Sequence, residues 1–235
     1  MEELLNPQSD SIRRFLKRWY GSAASGETAT PFEALEIPHE ILDWHQAAAS
    51  TGVEVAFQDY PVALSDLKRS DDGMIVVWVE NQNGYYWAIK SNREDHEVFF
   101  REDASSVWRD TGEKLDQFLL HCTVREAIIG AESKFSALVP ASAIQDALAG
   151  FTPLPYRPLA NESPATQLLC SSNALARVAT PPVGYSRRGE RIWLLTIATA
   201  PGSSVRQYRA SLERYIPAEA GRPRPAEASI EDLPF

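Results

Sequence analysis

The sequence predicts an α+β fold in which a mixed or antiparallel central β-sheet is flanked by helices. Three observations predict it. Residues Gly73 to Lys90 read G-M-I-V-V-W-V-E-N-Q-N-G-Y-Y-W-A-I-K, so a β-branched run and an aromatic run flank an Asn-Gly turn signal. Ile12, Phe15, Leu16 and Trp19 recur at the spacing of one helix face, with Arg13, Arg14, Lys17 and Arg18 opposite. Helical and strand-like blocks continue along the rest of the chain without an internal repeat, which argues against a solenoid or propeller.

The elements follow in order. Gly21 stops the first helix, and a polar loop runs from Ser22 to Thr30. Pro38 opens a second helix with Ile41, Leu42 and Trp44 inward, ending by Gly52, and Val53 to Tyr60 reads as a short strand. Met74 to Val79 and Tyr85 to Ile89 are apolar on both faces, so their hairpin is central in the sheet, with Gly84 supplying the positive φ of the turn. Glu97 to Arg101 is a third ladder member. Leu115, Phe118, Leu119, Cys122, Ile128 and Ile129 mark a buried helix stopped by Gly130.

In the second half, Pro140 to Ala149 is a short helix closed by Gly150, followed by a proline-rich crossing from Thr152 to Pro164. Gln167 to Cys170, Leu175 to Ala179 and Arg191 to Thr199 read as strands, and Ser203 to Tyr215 as a last helix. Residues 218–235 are rich in Pro, Ala, Glu and Arg, a composition expected to stay disordered.

Chemistry is constrained mostly by what is missing. The chain has no Gly-x-Gly-x-x-Gly loop, Walker A run or Gly-x-Ser-x-Gly elbow. Its four histidines lack ligand spacing, and Cys122 and Cys170 form neither a Cys-x-x-Cys pair nor a disulfide framework, so no metal and no cofactor is expected. Cys122 falls on an apolar helix face, the place of a core thiol. Arg187, Arg188 and Arg191 flank Gly189 in a turn, where charges need no nucleic-acid ligand. Without a basic leader or a long apolar run, the expected compartment is the cytoplasm.

The formal net charge of -9 is unevenly placed, since residues 1–135 carry 24 acidic and 13 basic side chains and the remainder 8 and 10. Such a half repels nucleic acid and anionic membranes and attracts a basic partner. Asp71, Asp72, Glu94, Asp95, Glu102 and Asp103 lie in loops flanking the strands and are the candidates for guiding that partner. Glu80, Asn81 and Gln82, at the hairpin apex, are candidates for the same surface.

Several blocks resemble the SUKH superfamily of bacterial immunity proteins and relatives of a fungal cell-wall synthesis regulator. They are F-L-K-R-W-Y-G at Phe15 to Gly21, I-P-H-E-I-L-D-W-H at Ile37 to His45, V-W-V-E-N-Q-N-G-Y-Y-W-A at Val77 to Ala88, F-L-L at Phe118 to Leu120 and E-A-I-I-G at Glu126 to Gly130. The resemblance implies a SUKH-like core over residues 1–135, a helix-and-strand extension over 136–217 packed on the same domain, and the tail. It also implies an immunity protein, with no catalysis of its own, that neutralises a cognate protein toxin by stoichiometric binding as a monomer or weak dimer. Toxins of that family include nucleases and deaminases. A non-catalytic scaffold or regulatory adaptor is the alternative.

Overall fold

The computed structural model describes residues 1–22, 37–90, 96–182 and 190–213. The polar loop after Ser22, the Arg187–Arg188 turn and the tail therefore fall wholly or largely outside the described residues. Two short N-terminal helices come first, α1 (Glu2–Leu5) and α2 (Ser11–Tyr20), then α3 (His39–Ala49). The α2 stripe is buried as its spacing predicts, and Gly21 ends the helix at φ 84°. On α3, Ile41, Trp44 and Ala47 are buried, whereas Leu42 is only half-buried.

The structure is α+β and contains two antiparallel sheets. The first is a meander of β1 (Tyr60–Pro61), β2 (Met74–Val79), β3 (Tyr86–Lys90), β4 (Glu97–Arg101) and β5 (Arg109–Lys114) in sequential order. In it Trp78 pairs with Trp87 across the β2–β3 ladder, both rings fully buried. Trp78 meets Trp44 and Phe118 edge-on, and the Trp44 indole N–H donates to Thr123 Oγ1 at 2.8 Å. This satisfies a polar group that burial would otherwise penalise.

Helix α4 (Leu115–Gly130) follows and is buried on every side from Phe118 to Ile128. The second sheet has the order β6 (Lys134–Pro140), β10 (Ile192–Thr199), β9 (Ala174–Ala179), β8 (Gln167–Cys170) and β7 (Thr152–Pro153). Its alternating side chains enter two cores. Leu168, Cys170, Leu175 and Ala198 join α4 and the first sheet, while Leu169, Ala176, Val178, Leu195 and Ile197 form a separate cluster with Leu212. Those last contacts anchor α5 (Ile144–Ala147) and α6 (Arg206–Leu212) over the far face.

The second sheet gains β6, directly after α4, a strand that the sequence reading does not mark. Three sequence expectations change. Of the Val53–Tyr60 segment only Tyr60 is strand, since the amides of Phe57, Gln58 and Asp59 turn toward the Glu126 carboxylate instead. At the hairpin apex Asn83 takes the positive φ (59°), and Gly84 lies outside the left-handed region. Gly130 is no left-handed stop either. A Cβ there would sit 2.0 Å from Phe57 Cδ2, so its role is close approach.

Candidate functional site

The acidic loops are the place to begin, because their residue types and positions singled them out in the sequence. Asp72 closes the turn before β2, accepting from the Ser70 hydroxyl and from the Met74 amide. Its carboxylate also accepts the Trp108 indole N–H at 2.8 Å and lies 3.9 Å from the Arg101 guanidinium. Arg101 in turn stands over the Trp108 ring at 4.4 Å and over Tyr86 at 5.7 Å. One joint thus ties the turn before β2 to the loop after β4. Asp71 and Asp72 belong to that turn, Glu102 and Asp103 to that loop.

Those acids do different work. The Ser70 and Trp108 hydrogen bonds hold the Asp72 carboxyl below the usual carboxylate range. The Ser105 hydroxyl and amide do the same for Asp103, which also accepts from the Ser106 amide and so builds its own turn. Asp71 is exposed, and among the described residues Glu102 makes only an exposed 3.7 Å pair with Arg109. Beside them Val107 is 81% exposed at the tip of the same loop. Glu94 and Asp95 lie outside the described residues.

The other predicted group, at the hairpin apex, joins a different assembly. Glu80 is half-buried and its carboxylate accepts from the amides of Gln82 and Gly84, both at 3.0 Å, closing the loop from within. Asn81 and Gln82 are exposed. The Asn81 amide donates to Asp59 Oδ1 at 3.3 Å, and Tyr60 Oη lies 3.4 Å from Asn83 Oδ1. The apex therefore rests on the 53–60 strap.

Beneath that strap lies a charge cluster that the sequence reading missed. Arg125 donates to Asp59 at 2.7 Å and to Glu126 at 2.8 Å, and its Nε reaches Glu162 at 3.3 Å. Arg177 donates to the same Glu162 at 2.8 Å. Glu126 accepts three successive strap amides, from Phe57 at 2.8 Å, Gln58 at 2.7 Å and Asp59 at 3.2 Å. Burial pushes the Glu126 carboxyl up, against the pull of those donors and of Arg125. Asp59, Arg125, Glu126 and Glu162 all have side chains no more than 5% exposed. The cluster links α4, the strap, the proline-rich crossing and β9, and nothing in local sequence periodicity announces it.

A cleft of about 370 Å³ separates Trp87, Phe100 and Thr111 of the first sheet from Arg157, Pro158 and Leu159 of the crossing. Its wall residue Glu113 lies 3.1 Å from His121 Nδ1, and His121 stacks on Tyr156 at 4.9 Å. Burial pushes the Cys122 thiol well up, as befits a core thiol. Among the described residues no group of three His, Cys, Asp or Glu side chains is placed to hold a metal ion, and no helix is long and apolar enough to cross a membrane. No protein-family model matches the chain, and no curated protein and no solved structure matches it.

Proposed function

We propose that this chain is an immunity protein that neutralises a cognate, basic bacterial protein toxin by direct stoichiometric binding, in the cytoplasm of the producing cell and without catalysis of its own. One observation carries the reading beyond the sequence resemblance to the SUKH superfamily. Asp72, bonded to Trp108 and beside Arg101, ties the turn that carries Asp71 and Asp72 to the loop that carries Glu102, Asp103 and the 81%-exposed Val107. An apolar anchor inside a charged rim has the anatomy of a protein interface. A rim of one sign accelerates encounter with a partner of the other.

The adjacent reading frame, expressed alone, is expected to arrest growth, and co-expression of this chain to restore it, with a one-to-one complex recovered by light scattering. Absence of toxicity or of rescue, together with several endogenous partners on affinity capture, would replace this reading by the adaptor one.

A further inference from the structure

Phe57 and Tyr60 are the two exposed aromatic side chains among the described residues, each 43% exposed, with Val53 at 55% on the same strap. Exposure usually accompanies mobility, yet this strap is fastened. Three successive amides are bonded to buried Glu126, Asp59 is bonded to buried Arg125, and the Phe57 ring is seated on the bare Cα of Gly130. The Tyr60 hydroxyl reaches Asn83 on the β2–β3 loop. Anchors held in advance lose little freedom on binding.

The occupant is identified by what the rest of the chain does with similar rings. Lys90 covers Phe99 at 4.8 Å, Arg101 covers Tyr86 and Trp108, Arg191 covers Trp193 at 4.2 Å and Arg209 covers Phe135 at 5.8 Å. Among the described residues no cation of the chain lies over Phe57 or Tyr60. Residues 53–62 and 79–85 contain no Lys, Arg or His, but they hold Glu54, Glu80 and the side-chain amides of Asn81, Gln82 and Asn83. Ring faces, carboxylates and amide oxygens are the groups that receive a guanidinium. We propose that the Phe57–Tyr60 strap and the β2–β3 loop form a preformed receptor for arginine side chains of a basic partner protein.

The inference does not depend on what that partner does. Octa-arginine, octa-lysine and octa-glutamate, titrated at low salt into the full ¹⁵N-labelled chain, test it directly. Octa-arginine is expected to move the amide signals of Phe57, Tyr60, Asn81 and Asn83 and to bind more tightly than octa-lysine, with octa-glutamate silent. Phe57→Leu with Tyr60→Leu is expected to weaken octa-arginine about tenfold, and Tyr60→Leu alone about threefold, at unchanged melting temperature. The single variant leaves the Gly130 contact in place, so it carries the test if the double variant does not fold. Shifts confined to Asp71, Asp72, Glu102 and Asp103, equal affinity for the two cationic peptides, or unchanged affinity in the variants would overturn the proposal. The growth assay is unaffected by any of these results, so the receptor and the immunity reading fail separately.

Discussion

The ring of Phe57 lies so close to the Cα of Gly130 that a single added methyl group would stand 2.0 Å from Cδ2 and 2.2 Å from Cε2. Such distances are deep inside van der Waals contact, so Gly130→Ala must displace either the ring or the end of α4. The change is expected to cost about 1–3 kcal/mol in urea unfolding, despite the better helix propensity of alanine. Phe57→Ala placed in the same chain should recover part of that loss. Additive losses would mean that the two residues do not share the strain.

Arg125 is the cation on which Asp59, Glu126 and Glu162 all converge. Arg125→Met leaves Asp59 and Glu126 buried without a cation and is expected to cost about 3–5 kcal/mol. The Glu126 carboxyl, already pushed up by burial, would then bind a proton still more readily folded than unfolded. With the folded-state affinity raised, stability is present at low pH and lost as pH rises, so the variant should gain stability between pH 7 and 5 relative to wild type. Chemical denaturation across that range measures it; parallel curves would remove Arg125 from its assigned role.

At the hairpin apex the left-handed residue is Asn83, and Gly84 has ordinary backbone geometry with Glu80 Oε2 3.4 Å from where a Cβ would sit. Asn tolerates that region, whereas a β-branched residue does not. Asn83→Val is therefore expected to cost about 1–3 kcal/mol and Gly84→Ala less than about 1 kcal/mol. The reverse order of urea midpoints would return the positive φ to Gly84.

This apex also shows what the sequence could and could not reveal. The β-branched run from Met74 to Val79 and the paired tryptophans made the strands legible, because burial on both faces writes itself as an unbroken apolar run. The loop between them was legible only as a turn, since Asn and Gly both tolerate positive φ. β5 reads R-D-T-G-E-K and passed unnoticed because an outer strand with little burial leaves no apolar alternation. Arg125, Glu126, Glu162 and Arg177 carry the composition of a solvated surface, and only contacts between residues far apart in sequence make them interior. At the candidate site, loop positions pointed to Asp71, Asp72, Glu102 and Asp103, whereas Phe57, Tyr60 and Val107 escaped. An exposed apolar residue looks in sequence like a buried one.

The Asp72 to Trp108 hydrogen bond supplies a local pH probe. Ser70, Trp108 and the Met74 amide favour the ionised carboxyl, so its folded-state pKa is depressed, and the stabilisation is present above the ordinary aspartate value of about 3.9 and lost below it. The Trp108 indole N–H resonance should hold its bonded position through pH 5 and move only on further acidification, with a midpoint under that ordinary value. A midpoint above it would show that the bond does not protect the charge.

Charge reversal in the acidic loops separates guidance from architecture. Asp71 is exposed and, among the described residues, Glu102 makes only an exposed ion pair, so replacing both with Lys should leave thermal unfolding nearly unchanged. Asp72 and Asp103 each accept from backbone amides and hydroxyls that lysine cannot serve, so reversing those two should lower the melting temperature measurably. Both double variants remove the same charge from the same rim. If the rim steers a basic partner, both should slow association by a similar factor at low salt and flatten its salt dependence, because steering follows net charge and is screened by ions. Stopped-flow association with the cognate partner, set beside thermal unfolding, resolves the two effects. An Asp71→Lys/Glu102→Lys variant that associates at the wild-type rate would leave these acids as determinants of solubility and transfer recognition to the aromatic strap.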